Sequence, residues 1–144
     1  MSHRRAVWVG RVFLLLAVVL ALWTAFLGYT LPNKGELAHQ DVVWVGFDVG
    51  LMFGLVAVAW TALRRSRFLP LAASATAALL LMDAWFDVVG SASYTEAAEA
   101  MVMALLVELP LSTVCWLIAW HSQTVLEEQV AAQVLRRYTE ARAE

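Results

Sequence analysis

The sequence predicts an all-α, polytopic membrane protein: four transmembrane helices in a small bundle, followed by an amphipathic C-terminal helix. Three observations carry that expectation. Hydrophobic residues make up 62% of the 144 residues and charged residues only 15%, against roughly 45–50% and 25% in an average soluble domain. A water-soluble chain of this size has too much surface to hide that apolar load. Finally, four apolar segments each approach the roughly 20 residues needed to cross a 30 Å hydrocarbon layer. They are too continuous for the alternating strands of a membrane barrel.

The first span is expected over about residues 7–28, with an uncharged core from Val12 onward. Ser2-His3-Arg4-Arg5 ahead of it has the basic character of a signal peptide's start. The apolar run is nevertheless longer than the usual stretch of about 7–15 residues, and Phe26-Leu27-Gly28-Tyr29 lacks a small-x-small cleavage pattern. A retained helix is therefore expected, with Arg11 snorkelling toward headgroups. Pro32-Asn33-Lys34-Gly35 reads as a turn, and Asp41 as a cap for the second span, about 42–63. Pro70 suits the first turn of the third span, about 69–90, which Gly90 can close. Ser93-x-x-Glu96 has capping-box spacing ahead of the fourth span, about 98–120. Residues 1–120 thus form the transmembrane domain. In the cytoplasmic tail, 121–144, Val125, Leu126, Val130, Val134, Leu135 and Tyr138 return at helical spacing, so an amphipathic helix is expected there.

Charge sets the expected orientation. Arg4, Arg5, Arg11, Arg64, Arg65, Arg67, Arg136 and Arg137 fall at one side of the spans, while the two opposite loops hold only Lys34. The positive-inside rule then places both termini in the cytoplasm of a multi-pass protein in the plasma (inner) membrane. Trp8, Trp60, Trp116 and Trp120 would mark the inner interface, and Tyr29, Trp44 and Tyr94 the outer one. Trp23 and Trp85 lie deeper, where a packing role suits them better than the ligand-facing role that is also open.

Several function classes are excluded or disfavoured. The formal charge of −2 leaves no basic excess for nucleic acid. The single cysteine, Cys115, makes neither an intrachain disulfide nor a Cys-x-x-Cys pair. No nucleotide-binding loop or hydrolase motif occurs, and no second axial ligand supports a haem at His121. Neither haem nor nucleotide is expected.

The informative residues are four acids within apparent membrane depth: Asp48, Asp83, Asp87 and Glu108. Intramembrane carboxylates are costly and by default face the bundle interior or a wet cavity, though Asp48 and Asp83 could also hydrogen-bond across helices to Thr24, Ser91 or one another and simply lock the bundle. At a 1.5 Å rise per residue, Asp48 lies roughly 9 Å, Asp83 roughly 10 Å, Asp87 roughly 4–5 Å and Glu108 roughly 15 Å below the outer surface. Asp83 and Asp87 share one helix side, with Thr76 two turns deeper. The Glu108 face also carries Ala104, Ser112 and Cys115. Pro110, two residues on, lacks the N–H that would bond the Leu106 carbonyl, so a kink is expected at midplane.

Carboxylates packed in low dielectric cannot all stay ionised, so protons are shared and a cation can displace them. The four acids are therefore the candidate metal or cation ligands: Asp48 and Asp83 as the main pair, Asp87 outermost, Glu108 as the deep proton carrier. The expectation is an outward-facing carboxylate cluster that binds or transports a cation or proton. An alternative is an accessory or scaffolding subunit, docked through the Gly46, Gly50 and Gly54 stripe, to a second copy or a partner membrane protein. An enzyme acting on a lipid-linked substrate ranks third, because a nucleophile–base pair is missing. Either way membrane lipids surround the chain.

Overall fold

The computed structural model describes residues 3–30 and 38–142 of the chain. The described residues are helical apart from short links, in the elements α1 (His3–Thr30), α2 (Ala38–Leu63), α3 (Leu69–Gly90), α4 (Tyr94–Met103) and α5 (Leu109–Ala141). A five-residue π-helical turn, Ala104–Glu108, joins α4 to α5. Four helical stretches are long and apolar enough to cross a membrane, the last running from Tyr94 to Ala141. This is the small all-α bundle expected from the apolar segments, and the tail is a direct continuation of the fourth span. The expected Pro32–Gly35 turn lies outside the described residues.

Local chemistry explains the helix ends. The expected Asp41 cap lies outside the described side chains; α2 itself is described from Ala38. It stops in a Schellman motif: Ser66 N–H donates to the Thr61 carbonyl at 2.9 Å and Arg65 N–H to that of Ala62 at 3.1 Å. Arg65 occupies the left-handed position there, φ 51°, where glycine is the usual residue. The Arg64 guanidinium lies 4.4 Å from the centroid of the Trp60 ring, a cation–π pair at this end of the bundle. Pro70 sits in the first turn of α3. Ser93 caps α4, its hydroxyl accepting from Glu96 N–H at 3.3 Å. The Glu96 carboxylate reaches back to Ala92 N–H at 3.0 Å, one residue earlier than in the standard box. That cap starts the helix at Tyr94, one turn before the apolar run.

The helices pack in chain order, α1 on α2, α2 on α3, and α3 on α4 and α5. Small residues make this possible. Ala6, Phe13 and Ala17 of α1 are buried at heptad-like spacing, with Gly10 continuing the seam. A β-carbon on Gly10 would come within 3.1 Å of the Ala59 carbonyl oxygen of α2, closer still to Leu63. Ala73, Thr76, Ala77 and Leu80 of α3 meet Leu51, Leu55, Val58 and Ala59 of α2 and Cys115 and Ala119 of α5 in one core. Most large apolar side chains, Leu22, Phe53, Leu71, Leu106 and Trp120 among them, point outward. Packing by small residues with bulky ones outside suits a lipid surround, where apolar burial between helices gains little. Trp85 is also 63% exposed, so its depth along the helix reflects an outward position rather than core packing.

Gly54 and its neighbours on the stripe have different surroundings. A β-carbon on Gly54 would stand 2.9 Å from Thr76 Oγ1, so this glycine serves the α2–α3 contact. Gly46 and Gly50 have open space within 4 Å.

Candidate functional site

α1 and α4–α5 do not close the fourth side of the bundle. Among the described residues, no pair of their Cα atoms lies within 8 Å, a separation that directly packed helices, with axes about 8–10 Å apart, do reach. A cavity of about 240 Å³ fills this gap. Asp48, Asp83, Asp87 and Glu108 all line it, together with Leu16, Val19, Leu20 and Trp23 of α1. The α1 wall is thus apolar and aromatic, while the facing walls carry the acids among Leu51, Leu55, Leu80, Met103, Val107 and Leu111.

Each carboxylate is set by its helix. Asp48 leans toward α1, where its Oδ2 accepts a hydrogen bond from Thr24 Oγ1 at 2.9 Å. The same hydroxyl is 2.9 Å from the Leu20 carbonyl oxygen, so one proton serves two acceptors. Asp83 is buried at 9% exposure on the α3 face that continues Leu69, Ala73, Thr76 and Leu80. Asp87, one turn on, is half-buried.

Glu108 is the most unusual of the four. It is 7% exposed, and among the described residues its Oε2 is the buried side-chain oxygen without a hydrogen-bond partner. A buried polar atom left unpaired costs on the order of 1–3 kcal/mol, more when charged. Glu108 ends the π turn, where Leu109 N–H bonds the carbonyl of Ala104, five residues back. Pro110 supplies the cause: its ring would crowd the Leu106 carbonyl in a regular helix, and a widened turn relieves that. The expected local kink is therefore realised as a change of helical register. Such turns occur frequently at functional sites.

The other polar residues of these faces serve packing. Thr76 is fully buried and donates to the Ala72 carbonyl at 2.8 Å. Ser112 donates across to the Ala77 carbonyl at 2.9 Å, tying α5 to α3. Cys115 is buried in the core. Of the partners the sequence offered Asp48 and Asp83, Thr24 is the one that meets Asp48, while Ser91 donates to the Asp87 carbonyl.

The four acids share a cavity but do not form a compact coordination sphere. Among the described residues, no group of three His, Cys, Asp or Glu side chains stands together as a metal site. What the arrangement does supply is negative charge or exchangeable protons inside a largely apolar chamber. Comparison with known protein families, with curated proteins and with solved structures returned no match.

Proposed function

We propose that this membrane protein binds a cation in exchange for protons at its intramembrane carboxylates, as a carrier or as the cation-sensing part of one. The observation that carries the reading is Glu108: a nearly buried carboxyl with an unpaired oxygen, lining a cavity with three further acids. Four carboxyl groups in a low-dielectric chamber cannot all be ionised, so a cation arriving there replaces protons. Asp48, held by Thr24, and Asp83 form the main pair, Asp87 is outermost, and Glu108 carries the deep proton. The concentration of arginines at the Arg64–Arg67 end supports an orientation with that end and both termini cytoplasmic. The cavity would then face outward from a bacterial-type inner membrane.

Thermal stability in detergent, from pH 5 to 9, tests this with Na⁺, Ca²⁺, Mn²⁺, Zn²⁺ and organic ammonium salts. A ligand that binds the native state alone raises its stability. Stabilisation by any of these cations that grows with pH and disappears in Asp83→Asn is the expected result. A flat response to all of them would refute the reading.

One observation favours a second reading, an accessory or homo-oligomeric subunit. Gly46 and Gly50 form an uncovered small-residue surface on α2, suited to close approach of another helix. Loss of association in Gly50→Leu, with the helical fold intact, would support it.

A further inference from the structure

We infer that the ligand of the four-carboxylate cavity is an organic ammonium cation with an apolar body, reaching the acids sideways through the gap between α1 and α4–α5. This narrows the cation-site reading proposed above to a chemical class, and rests on it.

The donor set argues against a bare metal ion. Ca²⁺ needs six to eight oxygen ligands and Mg²⁺ a near-ideal octahedron, each at about 2.0–2.6 Å. The described acids do not gather in threes, and the rest of the wall offers few oxygens. Leucine, valine, methionine and tryptophan supply most of the lining. Apolar walls around separated carboxylates suit a ligand whose charge is small relative to its hydrocarbon.

Size agrees with this. The cavity of about 240 Å³ exceeds the roughly 150 Å³ apolar cavity that admits benzene. It is far larger than an inorganic ion requires. One aromatic or branched alkyl group fits beside an ammonium centre.

The two walls divide the recognition. Glu108 is faced across the cavity by Asp83 and Asp87 of α3 and by Asp48 of α2, while the α1 residues lining it carry no charge. Trp23 presents an indole from α1, able to hold a cation by its ring face and an apolar group by its surface. The acids and the unpaired Glu108 Oε2 would meet the ammonium, and α1 would meet its substituents.

The side opening follows from exposure. Val19, Trp23, Met103 and Val107 line the cavity, yet they are 55%, 55%, 51% and 43% exposed. Residues that both line a chamber and face outward mark its mouth. Here the mouth lies between helices, where an amphipathic cation partitioned into the bilayer would arrive. On binding, one carboxyl proton passes to water as the ammonium takes its place, so charge is conserved and affinity falls on acidification.

Calorimetric titration of the detergent-purified full chain tests the class, with benzyltriethylammonium chloride as the probe. Tetramethylammonium supplies the charge alone and benzyl alcohol the apolar body alone. Binding of benzyltriethylammonium at pH 8, at least about tenfold weaker at pH 5.5 and at least about tenfold tighter than either control, is expected from joint use of both walls. Glu108→Gln should abolish the pH dependence. Trp23→Leu should weaken binding by about three- to tenfold, the size of a cation–π contact, and keeps the test open if the Glu108 variant fails to fold. Equal binding of benzyl alcohol would overturn the inference, since the cavity would then read apolar surface only. If Na⁺ or Mn²⁺ stabilises the protein in a pH- and Asp83-dependent manner while benzyltriethylammonium does not bind, this inference falls and the cation-site reading stands. If none of the cations binds, both fall.

Discussion

Replacing Gly54 by alanine tests the helix packing that positions the cavity. The new methyl group would stand 2.9 Å from Thr76 Oγ1 and 3.5 Å from both Thr76 Cγ2 and Leu79 Cδ1. Thr76 cannot easily yield, being fully buried and hydrogen-bonded to the Ala72 carbonyl at 2.8 Å. Overpacking of this kind costs about 1–3 kcal/mol, offset by about 1 kcal/mol from the better helix propensity of alanine. A net destabilisation of up to about 2 kcal/mol is expected. Gly50→Ala gains the same propensity with open space around its methyl group, so it should be neutral or stabilising by up to about 1 kcal/mol. Unfolding in mixed detergent–SDS micelles, followed by far-ultraviolet circular dichroism, measures both. Thr76→Ala in the Gly54→Ala background should recover about 1–2 kcal/mol of coupling. Equal stability of the Gly50 and Gly54 variants, or zero coupling to Thr76, would refute the α2–α3 contact described above.

Three further outcomes are expected. Arg65→Gly relieves a left-handed backbone position and should raise stability by about 1 kcal/mol in the same unfolding assay; a loss would show that the Arg65 side chain outweighs the backbone. Thr24→Val removes the 2.9 Å hydrogen bond to Asp48 and should cost about 0.6–1.7 kcal/mol, the range seen for polar contacts between membrane helices. No change there would mean Asp48 finds another donor. Pro110→Ala restores an N–H for the Leu106 carbonyl and removes the steric cause of the π turn. It should leave the helix intact while weakening any cation-dependent stabilisation by at least about tenfold, through displacement of Glu108. An unchanged cation response would show that the π turn does not set the site.

Much of the fold was legible in the sequence, because a lipid surround leaves few choices. Long apolar runs must be helices when their backbone groups have no water to bond, and charged or turn-forming residues mark the links. The Ser93 cap and the Pro70 start could be read from short-range chemistry. The buried face of Ala104, Glu108, Ser112 and Cys115 followed from helical spacing. The gathering of four acids around one cavity followed from depth along the helices and the cost of carboxylates in lipid.

Less was legible where long-range geometry decides. Packing was the favoured expectation for Trp23 and Trp85, yet rotation about their helix axes leaves both more than half exposed. The glycines of α2 form one sequence stripe, but the α3 crossing covers only the Gly54 end. The spacing of Pro110 gave a local disruption without telling a kink from a π turn. Nor could one sequence say that α1 and α4–α5 stand apart, since that gap depends on how α3 supports both neighbours. Thr24 and Ser91 were both legible as candidate partners, and the α1–α2 crossing decides that Thr24 is the one that meets Asp48.

Proton release on cation binding bears most directly on the central claim. Adding benzyltriethylammonium, Na⁺ or Mn²⁺ chloride to the purified protein in weakly buffered detergent solution, with a pH indicator present, measures it. At least one of these cations should release protons from the wild type, and Glu108→Gln and Asp83→Asn should each reduce or abolish that release. Cation binding with no proton release, or release unchanged in both variants, would contradict a proton-exchanging carboxylate site.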